Sequence, residues 1–317
     1  MQYRHFGKFN LTSSVIGFGG WPMGKGHYGA VDEQEVIAAI HSAIDHGITL
    51  FDTAAVYGWG EGEEMLGRAL KGKRDQVVLV SKGGIRWGDP FDPTERVSSR
   101  EFLTEGLNDS LRRLQTDYLD LYMVHWPDES RPFSEPMEAF AQFQSEGKIR
   151  YGGVSNFTVD QMLECQKSFP IICNQVGYHL FDLRNEQDIF PHCRDQKLGV
   201  MAFGPLAHGL LTGTMSADTK FEEGDWRGRM DPFKLSLFQG ENFRRNLVKV
   251  DALKEVAGAK GKTVAQLALA WVLSNPAITV ALTGTRTPSE VKENVEAAEW
   301  AMTESERDEI TALIQAV

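Results

Sequence analysis

The chain has 317 residues, of which 42% are hydrophobic and 24% charged, as is ordinary for a soluble globular protein with a sizeable core. Its formal net charge is −11 at pH 7, and an acidic surface repels phosphate backbones and anionic lipids, which disfavours nucleic acid or a membrane as a partner. The three cysteines lack metal-type spacing, and neither a signal peptide nor a membrane-spanning apolar run is evident, so we expect a cytoplasmic protein.

Short apolar runs recur along the chain, and amphipathic stretches with helix-capping residues separate them. The runs lie at 15–18, 49–51, 77–80, 119–124, 151–154, 171–173, 200–202 and 278–282. The helical patterns lie at about 32–47, 61–70, 99–114, 134–146, 159–168, 187–196, 264–274 and 288–298. Continuous apolar runs are typical of parallel strands that helices cover. Eight such alternations predict a (β/α)8 barrel, with residues 1–317 forming a single domain.

Three further segments lie outside this alternation. Residues 3–15 contain turn residues and are predicted to form a hairpin that caps the bottom of the barrel. Residues 243–260 and 303–315 predict two extra helices. The connection 204–242 after the seventh strand is long, and connections of that length are usually functional, so we interpret it as a lid over a site.

Polar side chains end several predicted strands, at the barrel face where sites of this fold form. In chain order they are Asp52, Ser81-Lys82, His125, Ser155-Asn156 and Asn174-Gln175. Each has an ordinary structural alternative: a turn cap, a solvated lysine, a histidine satisfied in the core. Tyr57, which follows in the same loop as Asp52, could equally plug the space under that loop. Five successive strands with polar ends together favour a site at this face.

Asp52, Tyr57, Lys82 and His125 have complementary chemistry. A tyrosine is a weak acid at pH 7, and a nearby ammonium is expected to lower its pKa by stabilising the phenolate. Asp52 would keep Lys82 charged, and His125 could hydrogen-bond the oxygen that Tyr57 protonates. The set suits protonation of a developing alkoxide. It contains no metal triad, so we predict no metal.

A second feature follows the eighth strand, where residues 284–289 open a helix. Free N–H groups, the positive end of a helix dipole and Arg286 are expected to converge there and hold a phosphate. The alternative is an ordinary capped helix with a solvated arginine.

The residues 51–58, continued by Gly60, Glu63-Glu64, Leu66-Gly67 and Ala69-Leu70, resemble the signature of the aldo-keto reductases. Further blocks match in order: Lys82-Gly83, Leu121-Tyr122, His125-Trp126-Pro127, 152–157, Gln175, Pro205-Leu206, 209–213 and Glu293-Asn294. The resemblance covers essentially the whole chain and looks closest to the bacterial reductases of sugars, aldehydes and ketones.

The resemblance implies NAD(P)H-dependent reduction of an aldehyde or ketone to an alcohol. Tyr57 would donate the proton, Lys82 would adjust its pKa, Asp52 would pair with Lys82, and His125 would orient the carbonyl. Ser155, Asn156 and Gln175 would hold the carboxamide, and Phe203 would stack on the nicotinamide. The remaining cofactor-binding positions are Gly20, Trp21, Gly204, Pro205, Leu206, Gly209, Leu211, Gly284, Thr285, Arg286, Glu290, Glu293 and Asn294.

The chain differs from the family pattern at several positions that are expected to bind the cofactor. Many members have Tyr-Ser where Phe203-Gly204 stands, so a serine hydroxyl contact is lost. Better-known members read the 2′-phosphate with a lysine and an arginine at the positions of Gly284 and Glu290. Glu290 would repel a phosphate and Arg286 could substitute, so NADP(H) is preferred and NAD(H) is possible.

The substrate partner is expected to be a small carbonyl or alcohol compound. Trp21, Tyr57, Trp87, His125, Trp126 and Trp226, with Phe233, could wall its pocket and suit an apolar or sugar-like ring. Two alternatives stay open: an aldolase that forms a Schiff base on Lys82, and a cofactor-sensing partner protein like the potassium-channel β subunits, which also resemble this family. The sequence does not indicate an oligomeric state.

Overall fold

A computed structural model describes residues 1–24, 28–88 and 94–316. The strands are β1 (Tyr3–His5), β2 (Thr12–Ser14), β3 (Ile16–Gly19), β4 (Leu50–Asp52), β5 (Val78–Gly83), β6 (Ile85–Arg86), β7 (Glu95–Arg96), β8 (Leu119–Val124), β9 (Ile149–Ser155), β10 (Cys173–Gly177), β11 (Gly199–Phe203) and β12 (Val280–Gly284). The helices are α1 (Glu33–Asp45), α2 (Glu61–Ala69), α3 (Arg100–Leu114), α4 (Ser134–Ser145), α5 (Val159–Gln166), α6 (Ile189–Gln196), α7 (Gly240–Ala259), α8 (Val264–Ser274), α9 (Pro288–Ala297) and α10 (Glu304–Ala316).

Eight parallel strands within these ranges close into a barrel in the order β3, β4, β5, β8, β9, β10, β11, β12 and back to β3. The strands form because their residues are apolar on both faces; every residue of β8, for example, is buried. Helices cover the outside. The predicted (β/α)8 barrel is therefore confirmed, although the sixth strand runs from Cys173 to Gly177 rather than over 171–173.

The N-terminal hairpin closes one end of the barrel. Strands β1 and β2 pair antiparallel, and the turn between them carries Phe6 and Leu11 into the apolar cluster of the barrel interior. Phe6 is fully buried there. The predicted cap at the bottom of the barrel is thus confirmed, and the opposite end, where the strands finish, is left open for a site.

Helix starts follow the capping signals of the sequence. The Asp32 carboxylate accepts hydrogen bonds from the backbone N–H groups of Gln34 and Glu35 and starts α1. Thr158, Thr263 and Thr287 form capping boxes at α5, α8 and α9. These caps set where each barrel loop ends. The loop between β12 and α9 is part of the site described below.

The connection from β11 to α7 is the long segment predicted as a lid. It contains two short 3-10 turns, Ala207–Thr212 and Trp226–Gly228. Its side chains Trp226 and Phe233 pack over Trp21 at the open end of the barrel. The segment therefore covers the site, as expected. Among the described residues, no helix combines the length and apolarity needed to cross a membrane.

Candidate active site

A cavity of about 630 Å³ lies at the carboxyl ends of the barrel strands. At one end Asp52, Tyr57 and His125 line it, and at the other end Arg286, Glu290 and Glu293 do. A volume of this size is typical of pockets that hold drug-sized ligands and cofactors. The cavity thus joins the two features that the sequence singled out separately.

The ammonium of Lys82 is at the centre of the first group. Its Nζ donates to Asp52 Oδ2 at 2.7 Å, to the Thr53 carbonyl oxygen at 2.9 Å and to the Tyr57 hydroxyl at 3.4 Å. The Lys82 side chain is fully buried and that of Asp52 nearly so. A buried charge is tolerated when it is paired and hydrogen-bonded, and here all three ammonium hydrogens have an acceptor.

Tyr57 reaches this group because the backbone turns sharply behind it. Gly58, Trp59 and Gly60 all have positive φ, which is uncommon for a residue with a side chain such as Trp59. This left-handed turn leads into α2 and leaves the Tyr57 ring edge-on to His125, with ring centroids 5.6 Å apart. On its other side the Tyr57 ring stacks on Trp21 at 6.3 Å.

Burial is the largest cause of the pKa shifts in this group of residues. It raises the pKa of Tyr57 well above 10, and the carboxylate of Asp52 adds to this rise. The net shift of the tyrosine pKa is thus opposite to the lowering expected from Lys82, because burial and the Asp52 carboxylate raise it. Tyr57 is consequently a neutral phenol, which is the protonation state that a proton donor needs.

Burial also shifts the pKa values of Lys82, Asp52 and His125. Burial lowers the pKa of Lys82, and the Asp52 carboxylate opposes that shift. Burial also raises the pKa of Asp52, opposed by Lys82 and Gln175. The pKa of His125 lies well below its usual value because of burial and the nearby Lys82 ammonium, so its imidazole is neutral.

Gln175 lies within β10, two residues before the strand ends. Its amide Nε2 donates to Asp52 Oδ1 at 2.8 Å, so it fixes the carboxylate from the side opposite Lys82. Its neighbour Asn174 faces away from the barrel interior and donates to the Phe157 carbonyl oxygen. Of the two amides that end the predicted strand, Gln175 therefore faces the site and Asn174 does not.

Ser155 and Asn156 follow at the end of β9. The Ser155 hydroxyl donates to the Gln175 carbonyl oxygen at 3.0 Å, and the Asn156 amide donates to the His125 carbonyl oxygen at 3.2 Å. Asn156 has a positive φ of 63°, a conformation that asparagine adopts more readily than most residues. Both residues line the cavity, as do Tyr57 and His125.

The expected cofactor residues divide into two sets. Those that line the cavity are Gly20, Trp21, Ser155, Asn156, Gln175, Phe203, Gly204, Pro205, Leu206, Gly209, Gly284, Arg286, Glu290 and Glu293. Leu211, Thr285 and Asn294 are instead buried behind the wall. The Asn294 amide donates to the Thr285 hydroxyl at 3.3 Å, so these two hold the loop after β12 in shape.

The far end of the cavity differs from the expected phosphate site. The Glu290 carboxylate accepts from the backbone N–H of Arg286 at 2.7 Å and from that of Thr287 at 3.3 Å. Two of the N–H groups expected to be free, those of Arg286 and Thr287, are therefore already used by the chain's own carboxylate. The Arg286 guanidinium donates to the Tyr28 carbonyl oxygen at 3.4 Å and lines the cavity.

The residues expected to wall the substrate pocket differ in their position relative to the cavity. Trp21, Tyr57, His125, Trp126 and Phe233 line the cavity. Trp226 is buried behind Trp21, with ring centroids 5.7 Å apart and an angle of 10° between the rings. Trp87 is partly buried and is not among the lining residues of the described chain. Two of the predicted walls are thus not in direct contact with the cavity.

Sequence reasoning missed several residues that line the cavity. Tyr28, His208 and Arg227 come from loops without a recognisable motif. For His208 the sequence did hold a signal, because the residue lies between Pro205 and Gly209, which were both expected to bind the cofactor. Among the described residues, no cluster of three or more His, Cys, Asp or Glu side chains could hold a metal ion.

Comparison with known protein sequences gives a consistent result. The model of the "Aldo/keto reductase family" matches residues 15–315. The chain is 37% identical over 318 residues to "Aldo-keto reductase YhdN" of Bacillus subtilis, covering 99% of this chain and 94% of that protein. It is 33% identical to an "NADH-specific methylglyoxal reductase" of Escherichia coli, with 92% and 91% covered. It is 32% identical to a "Probable voltage-gated potassium channel subunit beta" of Arabidopsis thaliana, with 94% and 92% covered.

Solved structures of the same family are also similar to this chain. The glycerol dehydrogenase AKR11B4 from Gluconobacter oxydans superimposes with a TM-score of 0.89 at 33% identity, covering 99% of this chain and 95% of that one. An aldo/keto reductase from Klebsiella pneumoniae, solved in complex with NADP and acetate, superimposes with a TM-score of 0.75 at 33% identity, covering 98% and 94%.

Proposed function

The chain belongs to the aldo/keto reductase family and is an NAD(P)H-dependent oxidoreductase, and from that premise we propose how its own residues reduce a carbonyl compound. The observation that carries the proposal is the contact of the buried Lys82 ammonium with both Asp52 and Tyr57. A phenol backed by a fixed cation can protonate an oxygen and then bear the resulting negative charge.

The cavity fits a dinucleotide. It runs from the catalytic group to Arg286, presents the Phe203 ring on its wall, and contains a buried histidine nitrogen, His208 Nε2, without a partner among the described residues. When bound, a reduced nicotinamide supplies the hydride that reaches the carbonyl carbon. We propose that Ser155 and Asn156 hold the carboxamide at the catalytic end.

Tyr57 delivers the proton in this proposal. Its hydroxyl is neutral and lies 3.4 Å from Lys82 Nζ, so the phenolate that remains after transfer faces an ammonium. The neutral His125 can donate one hydrogen bond to the same substrate oxygen and so orient the carbonyl. Gln175 and Lys82 hold Asp52 from two sides, which fixes the carboxylate that keeps the lysine charged.

We propose a small aldehyde, ketone or sugar-like carbonyl compound as substrate. Trp21, Trp126 and Phe233 offer apolar faces for stacking, while His125 and Tyr57 supply the polar contacts. Relatives named a glycerol dehydrogenase and a methylglyoxal reductase support a small polar carbonyl. We also propose a cytoplasmic location, since Cys165, Cys173 and Cys193 are all free thiols.

For the coenzyme we propose a preference for NADP(H) with appreciable use of NAD(H). Arg286 is the cation available to a 2′-phosphate, and a relative solved with NADP supports this choice. Glu290 opposes it, because its carboxylate uses two of the local backbone donors. The relative named NADH-specific shows that the family also includes NADH enzymes.

The test is a fluorescence titration with NADPH and NADH, followed by turnover of a panel of aldehydes, ketones and sugars. We expect saturable binding of both coenzymes, tighter for NADPH, and oxidation of the coenzyme that depends on the carbonyl compound. Coenzyme binding without turnover of any compound would favour the alternative of a cofactor-sensing partner, which the likeness to a potassium-channel β subunit supports.

The aldolase alternative is less compatible with the geometry. A Schiff-base lysine needs a neutral amine with a free lone pair, whereas Lys82 donates to three acceptors. Treatment with borohydride in the presence of substrate should leave Lys82 unlabelled. Covalent labelling at that residue would contradict the reductase mechanism.

A further inference from the structure

Glu63 is a buried carboxylate that the proposed reaction does not use. It lies in the first turn of α2, it is fully buried, and it is not among the residues of the described chain that line the cavity. Burial of a charged carboxylate is costly unless the group is paired and hydrogen-bonded. The contacts that offset this cost therefore indicate what Glu63 holds together.

The carboxylate of Glu63 joins three elements of the barrel wall. Its Oε1 accepts from the Ser81 hydroxyl on β5 at 2.6 Å, and its Oε2 accepts from Arg113 Nε on α3 at 2.7 Å. The Arg113 side chain is only 10% exposed, so both partners are shielded from solvent. Hydrogen bonds of a charged group are stronger than neutral ones, and burial reduces their screening by salt. Glu63 thus ties α2 to β5 and to α3.

Ser81 directly precedes Lys82 in β5. Successive side chains of a strand point to opposite faces, so Lys82 points into the barrel and Ser81 points outward to α2. On the other side of Lys82, the Tyr122 hydroxyl fills the place of a side chain at Gly83, because a Cβ atom there would lie 2.1 Å from it. Both chain neighbours of the lysine are therefore held from outside the barrel.

Arg113 connects the same ion pair to the turn behind Tyr57. A Cβ atom added to Gly60 would lie 2.9 Å from Arg113 Cδ, so the arginine packs directly on that turn. Gly67 is on the same face of α2 as Glu63, one turn further along, and a Cβ atom there would lie 2.5 Å from the Arg113 carbonyl oxygen. These two glycines let α2 and α3 approach closely enough for the ion pair to form.

The ion pair also has a direction relative to Lys82. The carboxylate is on the side of β5 and the guanidinium is on the side of α3, so the negative end faces the strand that carries the ammonium. Burial lowers the pKa of Lys82, the Asp52 carboxylate opposes that shift, and the Glu63 carboxylate adds to the opposition. Two carboxylates therefore help to keep the ammonium charged.

Burial keeps the other titratable groups that face this region of the described chain neutral at pH 7; they are Tyr57, Tyr122, His125 and Cys173. It raises the pKa of the two phenols and of the thiol, and it lowers the pKa of the imidazole. On α3, Asp109 is exposed and lies 3.8 Å from the Arg113 guanidinium. The charges nearest to Lys82 are consequently those of Asp52 and of the Glu63–Arg113 pair.

We propose that Glu63 is a positioning residue for the reduction: its carboxylate fixes the strand end that carries Lys82 against the turn that follows Tyr57, and it places a second negative charge behind the ammonium. The proposal rests on the proposed function. The 3.4 Å contact between Lys82 Nζ and the Tyr57 hydroxyl joins two different segments of the chain, and the Glu63 ion pair spans the same segments from outside the barrel.

The test is Glu63→Gln, which keeps the shape of the side chain and an acceptor for Ser81 but removes the charge. Single turnovers are followed by stopped-flow loss of NADPH fluorescence, with the best carbonyl compound of the panel. The rate of hydride transfer should fall by about tenfold, because a misplacement of ~1 Å can cost about a hundredfold. The Kd of NADPH should stay within about twofold of the parent value, since Glu63 does not line the cavity.

The pH profile of the same variant tests the charge. Loss of a carboxylate lowers the pKa of Lys82, so the ammonium that stabilises the phenolate is lost at lower pH. The alkaline limb of the single-turnover rate should therefore move to lower pH. A residue that only stabilised the fold would not move this limb at temperatures where the protein is folded.

Two further variants separate position from charge and from stability. Ser81→Ala removes the tie to β5 but keeps the ion pair, so the rate should fall by about threefold to fivefold with the limb in place; it also tests the proposal if Glu63→Gln does not fold. Asp120→Asn is the matched control, because Asp120 is a buried carboxylate on β8 that pairs with Arg74 at 2.8 Å and does not line the cavity. It should lower the thermal unfolding temperature and leave the rate and the limb as in the parent.

A rate or an alkaline limb in Glu63→Gln equal to that of the parent would overturn the proposal while leaving the proposed function intact. A parent-like rate in Ser81→Ala, or an equal loss of rate in Asp120→Asn, would do the same. If the parent protein reduces no carbonyl compound, or if Tyr57→Phe is as active as the parent, the proposed function fails, and this proposal with it.

Discussion

The two ends of the cavity hold charge in different ways. At the catalytic end, Asp52 and Lys82 are buried on neighbouring barrel strands and pair at 2.7 Å. At the far end, Arg286 and Glu290 lie on a loop and the first turn of a helix, both only partly buried. There the carboxylate is held by backbone N–H groups rather than by the arginine side chain.

This difference determines how each end responds to change. The two side chains of the buried pair are shielded from bulk solvent, so removal of one charge leaves the other poorly compensated. The far end is near solvent, where Glu290 can be displaced by another anion that the same N–H groups accept. We therefore expect large effects on turnover at the catalytic end and smaller effects, selective for the coenzyme, at the other.

The largest effect is expected for Tyr57→Phe. Removal of the hydroxyl should lower kcat by at least about a hundredfold, because general-acid catalysis contributes that much or more. The Kd of NADPH, measured by fluorescence titration, should stay within about twofold of the parent value because the ring is kept. A rate near that of the parent would contradict the assignment of the proton donor.

Asp52→Asn should have the next largest effect. The carboxylate raises the pKa of both Lys82 and Tyr57, so its loss should lower both. The donor must be protonated, and reduction is lost as pH rises through its pKa. The alkaline limb of the kcat profile should therefore move to lower pH, and kcat at pH 7 should fall by about tenfold or more.

Because Asp52→Asn also leaves the Lys82 charge buried without its partner, thermal unfolding must be measured beside the pH profile. Comparison at temperatures where both proteins are folded isolates the effect on catalysis. If the alkaline limb of the kcat profile stays in place or moves to higher pH, Asp52 does not raise the pKa of the proton donor Tyr57.

Arg286→Ala tests the far end. Loss of the guanidinium should raise the KM for NADPH by about tenfold and leave that for NADH within about twofold, because charge-assisted hydrogen bonds to the 2′-phosphate are lost. The turnover number should not change. Equal effects on both coenzymes would mean that Arg286 does not read the 2′-phosphate.

The smallest effect is expected for Glu290→Gln. Glutamine can still complete the capping box with Thr287, so α9 should keep its start. Removal of the negative charge should lower the Kd of NADPH by about threefold to fivefold and leave that of NADH unchanged, since partly exposed charges are screened. Weaker NADPH binding would show that the carboxylate does not compete with the phosphate.

The catalytic end was largely predictable from the sequence. Asp52, Lys82 and His125 end apolar runs, and parallel strands bring such residues to one face of a barrel. Tyr57 depends on a left-handed turn, whose glycines at 58 and 60 were visible in the sequence. The direction of the Tyr57 pKa was not predictable, because desolvation depends on how completely the loops cover the ring.

The far end was less predictable for a physical reason. Whether the N–H groups of Arg286 and Thr287 are free depends on the conformation of one side chain, Glu290, and the sequence does not determine it. Likewise, Trp87 and Trp226 could not be placed relative to the cavity from residue type alone. His208 belongs to no recognised motif, so its position on the cavity wall could not be predicted. The single-domain boundary 1–317 stays a prediction.

The pairing of β12 with β3 has a consequence for how the protein is made. It places Gly284 beside Gly19, so the seam of the barrel joins the first and the last of its eight strands in chain order. A nascent chain without its final strand has neither the seam nor the Arg286 loop, and contacts so distant in sequence form late. A dinucleotide then recognises only the finished molecule, and by mass action it stabilises that molecule against unfolding. Coenzyme added to the lysate should accordingly increase the yield of intact enzyme.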